Sequence, residues 1–149
     1  MVSNFPHLIL EDLLKDNWTL VEAPVNTIDW GYYPEAAGQG NQTRTIKCED
    51  IADVDRDYYG IPIVHEYAGN AIGVVIGVRD VGEEKTRPPP EYIKMVNHAK
   101  ANVKANRFPA GNDIHGFRID QGSREVENRM IANTRWYVYY LVVRAWYFD

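Results

Sequence analysis

The pattern of hydrophobic and polar positions is clearest in the last fifteen residues, which predict one long β-strand. This segment is dense in the aromatic and β-branched residues that favour strands. Successive side chains of a strand point to opposite faces, so residues 136–148 divide into two sets. One set is Trp136, Val138, Tyr140, Val142, Arg144 and Trp146, and the other is Tyr137, Tyr139, Leu141, Val143, Ala145 and Tyr147. Both sets are largely apolar, so both faces of this strand need to be covered.

Apolar residues at helical spacing predict a first helix over residues 7–17 and a second from residue 91 to about 105. Alternating or β-branched segments predict further strands at residues 26–33, 43–48, 58–67, 70–81 and 114–119. The final strand is expected to begin near residue 126 and to bend or to pair as a hairpin with the residues before it. Gly73 and Gly77 share one face of the fourth of these strands, where they leave room for another backbone, a helix or a bulge.

Small, polar and proline-rich segments predict the connections. Residues 35–42 form a long glycine-rich loop, and residues 82–90 form a charged loop ending in three prolines, which cannot continue a helix or a central strand. Residues 68–70 are predicted to form a hairpin turn and residues 120–123 a second turn. Residues 49–57 are an acidic connection.

The order of these elements predicts an α+β fold, with an antiparallel β-sheet, two helices packed on one face and a long C-terminal strand. At this length we expect one domain spanning residues 1–149. The second face of the sheet then needs a second sheet layer or a neighbouring subunit. We favour a subunit, because the chain has little left with which to cover that face.

The composition is that of a soluble globular protein, with 45% hydrophobic and 25% charged residues. Cys48 is the only cysteine, so no internal disulfide is possible and assembly inside a cell is expected. The N-terminus lacks the features of a signal peptide, and no segment has the roughly 18 apolar residues of a membrane span.

Charge is distributed unevenly along the chain. Residues 1–91 contain 7 Lys and Arg against 16 Asp and Glu, a net charge of −9, whereas residues 92–149 contain 9 against 5, a net charge of +4. Such a chain can place opposite charges across a repeated subunit interface, where they set orientation and partner choice. The alternative is that its solvated faces simply differ in charge.

No catalytic, metal-binding or cofactor-binding site is predicted. The acids between Asp53 and Asp57 have the spacing of a calcium loop, but Tyr58 and Val64 occupy the positions that need glycine and a carboxylate. The four histidines lack metal-ligand spacing, and a lone cysteine in a strand is usually a small buried hydrophobe. The basic face of the second helix, with Lys94, Lys100, Lys104 and Arg107, fits a solvated surface or a subunit contact better than autonomous binding of nucleic acid.

The layout of four segments resembles that of the neck and tail-terminator proteins of tailed bacteriophages and archaeal tailed viruses. These segments are Leu8 to Trp18, Ala71 to Val81, Pro90 to Asn106 and Arg135 to Phe148. The shared pattern is an opening helix, strands, a charged loop, a helix between strands, and a long hydrophobic final strand.

The resemblance implies a structural virion protein rather than an enzyme, assembled in the host cytoplasm. It would form a ring, expected to be a homo-hexamer, that caps the tail tube and joins it to the neck and portal. Its partners would be the tail tube protein and neck or adaptor proteins, with genomic DNA passing through the lumen without specific binding. No cofactor and no membrane are implied.

We expect the two long loops and the final strand to make the contacts of such a ring. The expected interaction residues are Gln39, Asn41, Glu83, Glu84, Arg87, Trp136, Tyr140, Arg144 and Trp146. Two alternatives stay open. One is a small metal-dependent hydrolase or nuclease that uses Asp53 and His65, and the other is a small ligand-binding module with an aromatic pocket.

Overall fold

A computed structural model describes residues 5–34, 43–52, 57–58, 66–80, 88–108, 114–120, 124–131 and 134–148. Its helices are α1 (Pro6–Asp16), a short 3-10 helix (Val25–Thr27) and α2 (Pro90–Ala105). Its strands are β1 (Asp29–Trp30), β2 (Arg44–Ala52), β3 (Asp57–Tyr58), β4 (Glu66–Arg79), β5 (Ile114–Ile119), β6 (Arg124–Ile131) and β7 (Thr134–Phe148).

Two long strands form the centre of the sheet. β4 and β7 have 14 and 15 residues, and they pair antiparallel without interruption from Tyr67 and Phe148 to Arg79 and Trp136. The other edge of β4 is paired by β2 and then by β3, and the other edge of β7 by β5 and then by β6. β1 adds to the outer edge of β2 and makes the one parallel pairing among the described strands. On each side of this central pair, shorter strands are thus hydrogen-bonded to one long strand.

Both helices pack on the same face of this sheet, which confirms the predicted α+β fold. α1 lies over β2 and β4, and α2 lies over β4 and β5. The buried stripe of α1 contains Leu10 and Leu14, and that of α2 contains Met95 and Ala99, all fully buried in the main core. A leucine, isoleucine or methionine in such a position typically contributes about 2–5 kcal/mol when compared with alanine.

The predicted hairpin turn at residues 68–70 is wrong. β4 continues through this segment, where Gly69 pairs with Trp146 and Asn70 with Ala145 of β7. Continuous pairing with the long strand β7 outweighs the local preference of Gly and Asn for turns. At its start, β4 pairs antiparallel with β3 through Glu66 and Tyr67.

Two other boundaries differ from the sequence-based expectations. Residues 26–33 contain a 3-10 turn and only two strand residues, and here the carbonyl of Val25 accepts hydrogen bonds from Ile28 N and from Trp30 Nε1. β2 extends to Ala52 and so takes in part of the predicted acidic connection. β5 and β6 run in the same direction along one edge of β7, and the predicted turn at residues 120–123 lies, apart from Asp120, outside the described residues. The hairpin that was one option for the C-terminus is formed by β6 and β7.

The end of α1 is joined to α2 by polar and aromatic contacts around His98. The backbone N–H of Thr19 donates to His98 Nε2 over 3.1 Å, and the His98 ring meets the Trp18 ring edge-on with centroids 4.6 Å apart. Asn102 Nδ2 donates to the carbonyl of Asn17 over 3.2 Å. Because His98 accepts a hydrogen bond at Nε2, it is held here in its neutral form.

Folding stability should therefore depend on the protonation of His98. Burial lowers the pKa of His98, so the folded state binds this proton less readily than the unfolded state does. The stabilising contribution is complete above the ordinary histidine pKa of about 6.5 and decreases as the pH falls below it. We expect the free energy of unfolding in urea to fall between about pH 7.5 and 5.5. His98→Gln, which keeps an acceptor but does not titrate, should reduce this dependence, and an unchanged profile would contradict the assignment.

The face of the sheet opposite the helices, here called the outer face, has a second cluster of buried residues at one end. Trp136, Val138 and Val75 are buried there, and Tyr33, Ile131 and Tyr140 pack against them. The chain therefore covers this end of the outer face itself, so a neighbouring subunit is not needed to shield it.

Gly73 and Gly77 make room for this cover. A β-carbon at Gly73 would lie 2.7 Å from Cζ of Tyr140, and one at Gly77 would lie 2.7 Å from Cγ of Pro34. Real β-carbons do not come so close to their neighbours. The two glycines thus allow the side chains of Tyr140 and Pro34 to approach the backbone of β4 closely.

Gly73→Ala should destabilise the fold by about 1–3 kcal/mol, because the added methyl group collides with the Tyr140 ring. Chemical denaturation measures this cost directly. In a Tyr140→Ala background the cost of Gly73→Ala should be smaller, since the ring is gone. Equal costs in the two backgrounds would show that the glycine is needed for another reason.

Candidate functional site

Part of the predicted interaction surface lies outside the described residues. This applies to Gln39, Asn41, Glu83, Glu84 and Arg87 in the two long loops. It applies equally to Asp53 and His65, on which the hydrolase alternative depends. The described candidates are Trp136, Tyr140, Arg144 and Trp146, all on the outer face of β7.

Trp136 is a core residue of the single chain. Its side chain is only 1% exposed and belongs to the buried cluster with Val75 and Val138. A partner could reach the Trp136 side chain only by displacing that cover. Of the four strand candidates, the three nearer the C-terminus are half-buried and accessible in part.

Tyr140 takes part in a hydrogen-bonded cluster with Glu49 and Tyr33. Its hydroxyl donates to Oε1 of Glu49 over 2.8 Å, and the hydroxyl of Tyr33 donates to Oε2 of the same carboxylate. The Lys47 ammonium lies 4.8 Å from the centre of the Tyr33 ring. Burial, together with the hydrogen bond and the negative charge of Glu49, raises the pKa of Tyr140 well above its ordinary value. The phenol is therefore a neutral donor, and the cluster fixes the segment around Tyr33 onto the sheet.

Arg144 and Trp146 lie at the other end of the outer face. Arg144 Nε is 2.6 Å from Oδ2 of Asp120, and the Arg118 guanidinium lies 4.9 Å from the centre of the Trp146 ring. Charge-assisted pairs and cation–π contacts of this kind hold long side chains in defined positions. This end of the outer face combines aromatic and charged groups, as protein interfaces commonly do.

The sheet order places the two charge signs on opposite flanks. The acidic flank consists of residues 5–34 and 43–52, which form α1, the 3-10 helix, β1 and β2, and it has 3 Lys and Arg against 7 Asp and Glu. The basic flank consists of residues 88–108, 114–120 and 124–131, which include α2, β5 and β6, and it has 7 against 4. In the strand order β4 and β7 lie between the two flanks, so the uneven charge of the sequence becomes a spatial separation along the sheet. On the helix side the flanks meet, where Glu22 of the acidic flank pairs with Lys94 of α2.

Neither a metal-binding cluster nor an activated thiol is present among the described residues. No group of three or more His, Cys, Asp and Glu side chains among them is arranged to hold a metal ion. Cys48 is buried, and burial raises the pKa of its thiol well above the ordinary value. A thiol of this kind is not an activated nucleophile, because the thiolate is the reactive form.

Comparison of the sequence with known proteins identifies no matching family. No protein-family model matches it, and no curated protein does. Neither α1 nor α2 has the length and apolar character that a membrane-crossing helix requires.

Sequence patterns do not predict the hydrogen-bonded cluster of Tyr33, Glu49 and Tyr140. Tyr33 is 16 residues and Tyr140 is 91 residues from Glu49, and no local pattern brings such positions together. The sequence contains only an indirect indication of this cluster. Gly73 and Gly77 on one face of a strand indicated that something large lies against it, but not that the occupants are side chains of this chain.

Glu49→Gln should lower the pKa of Tyr140, because it removes the negative charge beside the phenol. The pKa should stay above its ordinary value, since burial is the larger cause of the shift. Absorbance titration of tyrosinate, with the Tyr140→Phe variant subtracted, isolates this group from the other tyrosines. Asp50→Asn, on the neighbouring residue and opposite face of β2, is the matched control and should leave the titration unchanged. An equal effect of both variants would contradict the pairing.

Proposed function

We propose that this chain is a structural protein of a tailed virus that assembles head-to-tail into a closed ring, with six subunits as the expected number. In this proposal the ring caps the tail tube and connects it to the neck beneath the portal. Genomic DNA passes through its lumen without specific binding. The interaction loops at residues 35–42 and 82–90 contact the adjoining tube and neck proteins.

The observation that carries this proposal is the separation of charge across the sheet. Residues on the acidic flank have a net charge of −4, from 3 minus 7, and residues on the basic flank have +3, from 7 minus 4. If two copies related by a two-fold axis met through one flank, that flank would face the same flank of the partner. Charges of the same sign would then oppose each other. Unlike flanks attract when the copies are joined head-to-tail, and such an interface closes into a ring when the rotation permits.

The outer face and the element order add support. Aromatic and charged side chains share the end of the outer face around Arg144 and Trp146. The four segments that resemble neck and tail-terminator proteins fall in α1, β4, α2 and β7, where the resemblance implies helix, strand, helix and strand. The assignment to a tailed virus rests on this resemblance, whereas the ring is inferred from the opposite charges of the two flanks.

The purified protein should have a mass near six times its 17.1 kDa chain in light scattering at low salt. Raising the salt to about 1 M should favour smaller species, because the Debye length falls to roughly 3 Å and contacts between exposed charges are screened. A mixture with the tail tube protein should show rings at one end of each tube in electron micrographs.

Two results would count against the proposal. A chain that stays monomeric at every concentration, even with its tube partner, would remove the ring. A ring that forms but is absent from purified virions would leave the assembly standing and remove its place in the virus.

A further inference from the structure

A cleft on the basic flank has no occupant within the described residues. It lies between the end of α2 and β5, has a volume of about 340 Å³ and is open on one side. Val103 and Phe117 form its apolar floor and are 1% and 2% exposed. Lys104 and Arg107 stand at its rim, Arg118 and Ile119 complete its lining, and no carboxylate lines it. The volume is at the small end of the range for small-molecule sites, so it suits inserted side chains.

Neither rim cation has an acidic partner in the part of the chain that the structure describes. By contrast, Lys94, earlier on the same helix, is 3.0 Å from Glu22. Arg107 has its guanidinium 5.2 Å from the centre of the Phe108 ring, and its carbonyl accepts a hydrogen bond from Phe117 N. The cleft thus combines an apolar floor with three basic residues in its lining, two of them at the rim.

A stripe of complementary character lies on the acidic flank. Phe5, Leu8, Asp12 and Asp16 are spaced by three and then four residues, so they follow one side of α1. Phe5 is 67% and Leu8 is 45% exposed, and both aspartates are exposed. This exposed stripe is opposite the buried Leu10 and Leu14. Two large apolar residues in contact with solvent, beside two carboxylates, match the floor and the rim of the cleft.

We propose that the exposed stripe of α1 of a second copy docks into this cleft. Leu8 lies on the apolar floor, and Asp12 and Asp16 face Lys104 and Arg107. The contact is heterologous, because it joins the acidic flank of one copy to the basic flank of the next. It rests on the proposed ring and names the surfaces that form its repeated interface.

Carbodiimide cross-linking of a mixture of ¹⁴N- and ¹⁵N-labelled protein tests the contact directly, since this reagent joins amines to neighbouring carboxylates without a spacer. The expected product links Lys104 to Asp12 or Asp16, with one peptide from each label. Lys104→Arg keeps the charge, so it should retain the assembly but lose this product. An assembled protein that lacks the mixed product would overturn the proposed contact and leave the ring intact.

Charge reversal provides the second test. Asp12→Lys with Asp16→Lys, and separately Lys104→Glu with Arg107→Glu, should each raise the concentration needed for half-assembly by about tenfold or more. All four substitutions together should restore assembly, because the attraction is re-established with the signs exchanged. Asp50→Lys, an exposed charge change on β2 outside the stripe, should have little effect. Circular dichroism checks that these surface changes leave the fold intact.

The outcomes separate this inference from the proposed function. If reversal in the cleft weakens assembly while reversal in α1 does not, another segment occupies the cleft and the inference is wrong. If all four substitutions fail to restore assembly, the two surfaces do not meet. If the unaltered protein never assembles, the proposed ring fails and this contact fails with it.

Discussion

The antiparallel pairing of β4 with β7 is the constraint on which the rest of the structure depends. Thirteen consecutive residues of each strand are paired, from Tyr67 with Phe148 to Arg79 with Trp136. Every other described strand except β1 attaches directly to one of these two. Their helix-side residues supply much of the main core, and the position of each flank follows from which of the two strands it pairs with. A disruption in the middle of this pairing would therefore affect both flanks and both helices.

The outer face shows how a small chain covers a sheet that is apolar on both sides. At one end the side chains of Trp136 and Tyr140 lie across the neighbouring β4, where Gly77 and Gly73 leave space for them. Glu49 then fixes Tyr140 and the segment around Tyr33 by accepting a hydrogen bond from each hydroxyl. The expectation that this whole face needs a neighbouring subunit was too broad. Among the described residues, the end near Arg144 and Trp146 stays partly accessible in the single chain.

Sequence patterns predicted the elements whose signals are local. The stripes of α1 and α2 and the aromatic density of β7 gave their type and approximate bounds, because burial of one helical side or of both strand faces leaves a short-range pattern. The turn at residues 68–70 failed for the opposite reason, since residues distant in sequence, Trp146 and Ala145, hold this segment in β4. The bonds between Glu49 and the two tyrosines are equally non-local. The charge difference between the two parts of the sequence was visible, but its placement on opposite flanks needed the strand order.

The opposite charges of the two flanks connect the fold to the proposed assembly. A sheet with one acidic and one basic flank favours contacts between unlike edges, and such contacts repeat from copy to copy. Electron cryomicroscopy of the purified assembly tests this account most directly, because it shows which elements meet at each interface. We expect a closed ring in which α1 of every subunit contacts α2 and β5 of the next. Two-fold pairs joined through like flanks, or single chains alone, would contradict it.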